Sequence, residues 1–188
     1  IMMNLSMFGR VGVGALGLAV VCSAGLGQVV DESRIIFAED GVFRDFFGAD
    51  IAIDDGLIVV GTPGRNMSTI LDVGVVYLFD ANTGEQLRML APPSPHSLRS
   101  KFGVAVAIGD GLVAALAPYW VPPSGDDFKI FVYETDTGAL LTTLEFPYGL
   151  NSFESSHRFM DLSDGRIAVR SFEPNVGPNG SDEVLIID

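Results

Sequence analysis

The side chains best suited to binding a ligand are few and scattered along the chain. Tyr119 and Trp120 are adjacent, and His96 and His157 are the two histidines of the sequence. Neighbouring aromatic rings can stack on a sugar ring or anchor a protein partner, although Trp120 could equally fold back over its own sheet. The two histidines lack the spacing of zinc ligands and could simply be solvated. These four residues are our candidate ligand-binding residues.

The sequence contains no recognisable motif for catalysis. It has no serine nucleophile elbow, no zinc motif and no sialidase-type Asp box. Cys22 is the single cysteine and lies near the N-terminus, so the mature chain is expected to have neither a disulfide nor a thiol nucleophile. We therefore predict no catalytic residue, no metal site and no cofactor in this chain.

The charge of the chain is strongly acidic. The formal net charge is −13, and every Asp and Glu lies from Asp31 onward. Such a surface repels phosphate backbones and anionic lipids, so a nucleic acid is not expected as a partner. Cation binding would need converging ligands, which net charge alone does not provide.

The segment 1–27 has the composition of a secretory signal peptide. Arg10 precedes an apolar run from Val11 to Val21, and small residues follow, so that cleavage after Ala24 or Gly27 would suit the usual rule. The alternative is an uncleaved anchor from Val11 to Val30, and a lipid on Cys22 is also conceivable. No second apolar run of spanning length follows. The leader predicts a secreted or cell-envelope protein, periplasmic or extracellular.

The rest of the chain is an array of similar units. The segment from Phe47 to Pro63 recurs from Phe102 to Pro118, and the segment from Val75 to Gly84 recurs with nearly the same offset from Ile130 to Gly138. A period of this size indicates stacked structural repeats. Asp164-Gly165 continues the series. The repeat segment spans 31–188, as a lead strand at about 31–45 and units at about 46–91, 101–146 and 156–188.

Each unit reads as four antiparallel strands. Ile51 and Ile53 alternate with other residues, as Val106 and Ile108 alternate with small alanines, so both faces of the first strand are expected to be buried. An Asp-Gly pair then predicts a tight hairpin, and Asn-Thr-Gly or Asp-Thr-Gly predicts a bulged hairpin before the fourth strand. Four such strands in about 54 residues match one blade of a β-propeller.

We therefore predict an all-β fold of about three propeller blades. Closed rings commonly have about four to eight blades, so the chain is expected to be part of a larger propeller, with both ends as edges of a fragment. The segment Arg34–Ala38 reads as a lone fourth strand, and the last unit lacks one. Propellers often close by pairing such a strand with an incomplete blade. A sandwich with duplicated hairpins remains the alternative.

The paired motifs resemble the FG-GAP repeat of integrin-like β-propellers. Phe47-Gly48 and Phe102-Gly103 are followed after one hairpin by Gly61-Thr62-Pro63 and Leu116-Ala117-Pro118, while the third unit is degraded. The resemblance implies an extracellular or periplasmic adhesion or ligand-binding module, sometimes stiffened by calcium. Here the corresponding acidic loop is only Asp54-Asp55-Gly56, too short to wrap an ion, so calcium binding is not carried over. The outer strands also resemble quinoprotein-type propellers.

Strand alternation places the long connections between strands at one end of the blades. These connections span 65–73, 92–101, 119–127, 147–157 and 173–182. Variable loops on a rigid scaffold commonly carry binding residues. We predict an exported, non-catalytic module whose long-loop face binds a protein or a carbohydrate, as in cell-surface adhesion. The alternatives are part of a propeller enzyme, a hydrolase or a quinoprotein-like dehydrogenase with its site in other blades, and a purely structural envelope component.

Overall fold

The computed structural model describes residues 34–94, 98–120, 127–146, 160–173 and 181–188. The predicted signal peptide therefore lies outside the described residues. Within them the chain is all-β, as predicted, and no helix is long and apolar enough to span a membrane. The strands are β1 Ile51–Asp54, β2 Leu57–Thr62, β3 Val75–Asp80, β4 Gln86–Leu90, β5 Val106–Gly109, β6 Leu112–Trp120, β7 Asp127–Glu134, β8 Leu140–Phe146, β9 Met160–Ser163, β10 Arg166–Glu173 and β11 Ser181–Ile187.

The strands form three antiparallel sheets, each made of consecutive strands. Sheet I contains β1 to β4, sheet II contains β5 to β8, and sheet III contains β9 to β11 among the described residues. Each strand pairs with its neighbour in the chain. The arrangement is consistent with the propeller blades predicted from the repeats.

The Asp-Gly pairs form the tight turns that the sequence predicts. Asp55 and Gly56 have φ values of 41° and 76° between β1 and β2. Asp110-Gly111 and Asp164-Gly165 also have positive φ at both positions in the other sheets. Two consecutive residues with positive φ are the requirement of a type I′ hairpin, and Asp-Gly is a preferred pair there. The three turns lie at the same end of their sheets.

The second predicted hairpin is also confirmed. The pairing of β3 with β4 shifts register between Leu78 and Phe79, and that of β7 with β8 shifts between Val132 and Tyr133, which is the signature of a β-bulge. In sheet I the Oδ1 atom of Asp80 accepts hydrogen bonds from the backbone of both Asn82 and Thr83, at 2.8 and 2.7 Å. Gly84 closes this turn with a φ of 74°.

The core consists of layers between successive sheets. Val59, Val76 and Leu78 of sheet I pack against the FG-motif Phe102 and the facing strands of sheet II. The ring of Phe102 meets Phe131 at 5.6 Å, in an edge-to-face geometry. A second layer joins sheets II and III in the same way, and β5 lies between β1 and β9.

The prediction that the first strand of each unit is buried on both faces is correct for β5 but wrong for β1. All of β5 is buried, because sheets I and III cover it. In β1 the side chains of Ile51 and Ile53 are exposed. The alternation of residues is the same in both strands, but no sheet in the described part of the chain precedes sheet I.

The segment Arg34–Ala38, predicted to be a lone strand, is not paired as a strand. It nevertheless repeats the contacts of β4. Arg34 donates a hydrogen bond to the carbonyl of Asn82 in the outer turn of sheet I, as Arg88 does to the carbonyl of Asp136 in sheet II. The segment does not form a strand because no strand among the described residues lies beside it to pair with it.

The outer face of sheet I is covered over β2 and β3 by this lead segment and by Phe47. Ile36, Ala38 and Phe47 pack on Tyr77 and other buried residues of the sheet. The ring of Phe47 lies 5.9 Å from the ring of Tyr77, the position that Phe102 takes against Phe131 one unit later. The aromatic contact of the FG motif is thus built twice.

Candidate functional site

A cleft of about 560 Å³ opens at the end of sheet I opposite the Asp-Gly turns. Its lining comes from the segment that enters β1, the residues that follow β2 and the connection that enters β5. This is the end at which the long connections were predicted to gather. The lining residues are Phe46, Phe47, Gly48, Ala49, Pro63, Gly64, Asp72, Lys101 and Val104.

Backbone hydrogen bonds hold two long connections together at this cleft. The amide of Lys101 donates to the carbonyl of Asp72 at 3.0 Å, and the amide of Phe102 donates to the carbonyl of Val73 at 2.9 Å. The buried hydroxyl of Ser100 also donates to the carbonyl of Val73, at 2.9 Å. These hydrogen bonds join the connection before β3 to the connection before β5, and both connections contribute to the wall of the cleft.

Three lining residues have a left-handed backbone. The φ values are 57° for Phe46, 51° for Asp72 and 51° for Lys101. Residues with a Cβ rarely adopt this region, and each instance costs on the order of 1 to 3 kcal/mol. Such strain persists where the surrounding structure dictates it, and it concentrates at ligand-binding sites. Three of the nine non-glycine residues with positive φ in the described part of the chain line this cleft.

The chemistry of the described lining is suited to binding. Phe46 presents a largely exposed ring, Lys101 supplies an ammonium donor, and Asp72 supplies a carboxylate acceptor. An apolar surface with a few polar groups is the usual composition of a ligand site. The described lining contains one carboxylate, on Asp72, one amine, on Lys101, and no histidine, cysteine or serine.

A partly buried ion-pair network adjoins the lining of the cleft at Gly64. The guanidinium of Arg65 bonds Asp45 at 2.8 Å and Asp40 at 2.6 Å, and the hydroxyl of Tyr77 donates to Asp40 at 2.7 Å. The hydrogen bond to Asp45 raises the pKa of Arg65. Burial, followed by the bond to Asp40, raises the pKa of Tyr77. The carbonyl of Asp45 also accepts from the amide of Gly64, which lines the cleft.

The four residues proposed from the sequence are not brought into this cleft by the described part of the structure. His96 and His157 lie outside the described residues. Tyr119 and Trp120 were predicted on a loop, but their backbone ends strand β6, where Trp120 opposes Asp127 after a register irregularity. The loop prediction was wrong because the β6–β7 hairpin continues past Pro118. Their side chains lie outside what the structure describes.

Sequence reasoning missed the cleft residues themselves. Phe46 was read as part of a repeat, and Asp72 and Lys101 were noticed only as parts of variable connections. The residue types Phe and Lys do not predict a left-handed backbone, because this conformation is expected mainly at glycine and asparagine. Within the described residues, no three His, Cys, Asp or Glu side chains are grouped as metal ligands.

Comparison with known proteins adds one family match. The family model of the FG-GAP repeat matches residues 30–79, which include the lead segment, β1, β2 and nearly all of β3. The match confirms the resemblance drawn from the Phe-Gly motif for this unit, and the three sheets are consistent with a propeller fragment. No curated protein shows significant sequence similarity to the chain.

Proposed function

From the FG-GAP repeat as premise, we propose that the chain is an exported, non-catalytic β-propeller module that binds a protein or a carbohydrate. The observation that carries the proposal is the cleft at the long-loop end, in which Phe46, Asp72 and Lys101 all have a strained, left-handed backbone. Strain at one concave site is explained most simply by a ligand that uses those side chains.

The cleft offers complementary chemistry to either class of ligand. The exposed ring of Phe46 supports stacking of a sugar face or an aliphatic side chain of a partner. Lys101 and Asp72 supply one donor group and one acceptor group for hydroxyls or for charged side chains. Tyr119 and Trp120, at the end of β6, are proposed as additional contacts from the sequence.

Export of the module is supported by the leader. An apolar run with small residues after it, in residues 1–27, is the pattern of a cleaved signal peptide. The repeat family and the acidic charge agree with a protein of the cell surface or the periplasm. Cell adhesion is the role that this family relation favours.

Binding is tested with two cleft variants and a matched control. The chain is screened on a glycan array and against a library of extracellular domains, and hits are titrated by calorimetry. Phe46→Ala and Lys101→Ala are each expected to weaken binding by about 10-fold, or about 1.4 kcal/mol. Phe43→Ala, which removes an exposed ring outside the cleft, is expected to leave the affinity unchanged.

The same titration separates the two proposed contact regions. Trp120→Ala is measured beside the cleft variants, with the far-ultraviolet circular dichroism spectrum as a check of folding. Loss of affinity in Trp120→Ala alone would move the site from the cleft to the end of β6. Equal affinity of all variants, with an intact fold, would contradict the proposal.

A further inference from the structure

Two lining residues of the cleft are presented by one kind of turn, which the chain builds twice. The first turn is 44–46, and the second, one repeat later, is 99–101. The first and third residues of each turn have a left-handed backbone, with φ values of 75° and 57° in turn 44–46 and of 58° and 51° in turn 99–101. The third residues, Phe46 and Lys101, line the cleft. Two turns of the same strained form therefore hold two of the side chains that face a ligand.

The middle residue of each turn is polar and yet buried. Asp45 is 3% exposed and Ser100 is 0% exposed. Among the described residues, Thr62 and Thr135 are the other two buried residues of polar or charged type. A polar group in the interior costs free energy unless hydrogen bonds replace those it made to water. Each middle residue must therefore be held by specific partners.

Asp45 ties the first turn to the residues that follow β2. Its Oδ2 atom accepts hydrogen bonds from the amide of Val42 at 2.9 Å and from the guanidinium of Arg65 at 2.8 Å. Its carbonyl accepts from the amide of Gly64 at 3.0 Å. A Cβ on Gly64 would overlap the ring of Phe46, so the turn lies directly against this glycine. The residue before Phe46 is thus held by both its side chain and its backbone.

Ser100 ties the second turn to a different element, the connection before β3. Its hydroxyl donates to the carbonyl of Val73 at 2.9 Å, and the amide of Lys101 donates to the carbonyl of Asp72 at 3.0 Å. Asp72 has a further anchor of its own, because its amide donates to the side chain of Asn66 at 2.9 Å. The position of Asp72 therefore does not rest on Ser100 alone.

The two anchors differ in a way that matches their surroundings in the repeat. Asp45 has the guanidinium of Arg65 as its counter-charge, whereas the residue one repeat after Arg65 is Trp120, which carries no charge. A buried carboxylate without a counter-charge is strongly destabilising. A hydroxyl, which needs only a carbonyl acceptor, stands at Ser100 instead. The same turn is therefore secured by an ion pair in one unit and by a neutral hydrogen bond in the next.

We propose that Asp45 and Ser100 are positioning residues of the cleft, with Asp45 presenting Phe46 and Ser100 presenting Lys101. Neither belongs to the cleft lining, so each acts through the side chain that follows it. The inference rests on the proposed function, in which Phe46 and Lys101 contact the ligand. Because the anchors are separate, loss of the Asp45 anchor weakens binding of any ligand that carries a ring. Loss of the Ser100 anchor weakens binding of anions in particular.

Amide hydrogen exchange, followed by NMR, tests the positioning without a ligand. Asp45→Asn keeps an acceptor but removes the charge that faces Arg65. It is expected to speed exchange at the amide of Gly64 by about 10-fold, because the turn opens locally, and to leave Lys101 unchanged. Ser100→Ala is expected to speed exchange at Lys101 by about 10-fold and to leave Gly64 unchanged. Equal acceleration at both amides, or in every strand, would make the two residues general stabilisers and overturn the proposal.

Two small probes with the same ring and opposite charges test the effect on binding. Benzoate offers a carboxylate to Lys101, benzylamine offers an ammonium group to Asp72, and both offer a ring to Phe46. Each probe is titrated into the protein while the amide resonances of Gly48 and Ala49, which line the cleft, are recorded by NMR. The dissociation constants of the two probes then report separately on the charged and the apolar contacts.

The pattern across the two probes distinguishes positioning from a general loss of packing. Asp45→Asn is expected to weaken binding of both probes about 5-fold, whereas Ser100→Ala weakens benzoate about 5-fold and benzylamine less than about 2-fold. The matched control is Thr135→Val, which removes a buried hydroxyl that donates to the carbonyl of Gly111 at 3.0 Å, at the Asp-Gly end of sheet II. It is expected to leave binding of both probes unchanged.

Two outcomes separate this inference from the proposed function. Equal weakening of both probes by Ser100→Ala would contradict the separate roles of the two anchors, even if the cleft binds both probes. Amides of the wild-type cleft that respond to neither probe would count against the proposed function. The exchange rates at Gly64 and Lys101 would still decide whether Asp45 and Ser100 hold the two turns.

Discussion

At the scale of single residues, the two glycines of the FG motifs are in the same conformation but in different surroundings. Gly48 and Gly103 have φ values of 83° and 81°. A Cβ on Gly103 would lie 2.8 Å from both the Val75 carbonyl oxygen and a methyl of Val76, whereas a Cβ on Gly48 would meet nothing within 4 Å. The difference arises because sheet I packs beside Gly103.

This contrast predicts different costs for the same substitution. Gly48→Ala is expected to lower the free energy of unfolding by about 1 kcal/mol, from backbone strain alone. Gly103→Ala adds a clash with the backbone of the neighbouring sheet, and about 3 kcal/mol is expected in total. Urea denaturation of the two variants measures the difference. Equal costs would mean that the contact between sheets I and II at Gly103 is looser than the structure indicates.

Two buried tyrosines predict a loss of stability in alkali. Burial raises the pKa of Tyr77 and of Tyr133 above the ordinary value near 10. The unfolded chain loses these protons at a lower pH than the folded chain does. The two tyrosines therefore leave the free energy of unfolding unchanged below pH about 10 and lower it as the pH rises further. Each tyrosine is expected to remove about 1 kcal/mol between pH 10 and 11.

Denaturation midpoints at several pH values check this prediction. The double variant Tyr77→Phe/Tyr133→Phe lacks both ionisable hydroxyls and should show a flatter pH dependence over the same interval, even though it loses the hydrogen bonds to Asp40 and Ala91. A slope that is unchanged in the double variant would assign the alkaline effect to other groups.

At the scale of elements, the residues between the lead segment and β1 are attached to sheet I by the network around Arg65. Asp45 is buried, and its carboxylate accepts from Arg65 and from the backbone amide of Val42 at 2.9 Å. Arg65→Met leaves this carboxylate without its counter-charge and is expected to cost about 3 kcal/mol. Arg166→Met breaks an exposed pair with Asp188 and is expected to cost less than about 0.5 kcal/mol.

Urea denaturation of both arginine variants provides the measurement. Adding Asp45→Asn to Arg65→Met should restore part of the lost stability, since the buried charge then disappears. Similar small costs for Arg65 and Arg166 would contradict the role of the network in holding the residues that precede β1.

The elements also separate what the sequence could and could not predict. The Asp-Gly and Thr-Gly turns, the strands beside them and the repeat itself were predicted correctly, because turn chemistry and alternation are local properties. Exposure of Ile51 and the unpaired backbone of the lead segment were not, because both depend on which sheet lies alongside. The cleft depends on the left-handed backbone of Phe46 and Lys101, which residue type does not encode. At Lys101 this backbone accompanies a hydrogen bond to the carbonyl of Asp72, and at Phe46 it accompanies a local bond from the amide of Ala49.

At the scale of the whole molecule, a net charge of −13 destabilises the folded chain through self-repulsion. Raising sodium chloride from about 10 mM to about 0.3 M is expected to raise the melting temperature by a few degrees, because the screening length falls. The Asp-Gly turns are too short to surround a calcium ion, so calcium chloride at equal ionic strength is expected to give the same shift. Differential scanning calorimetry measures both. A further increase specific to calcium would show an ion site that the turns do not supply.

The order of strands within each sheet also bears on how the chain acquires its structure. Since the described strands hydrogen-bond to their immediate neighbours in the chain, each sheet can form from one continuous stretch, and low sequence separation between contacts favours rapid folding. Contacts between sheets join residues that lie farther apart in the sequence. One example is the hydrogen bond, 2.8 Å long, from the amide of Val106 to the carboxylate of Asp50. During synthesis, sheet I can therefore be complete once Leu90 has emerged from the ribosome, and each later sheet docks on one already formed.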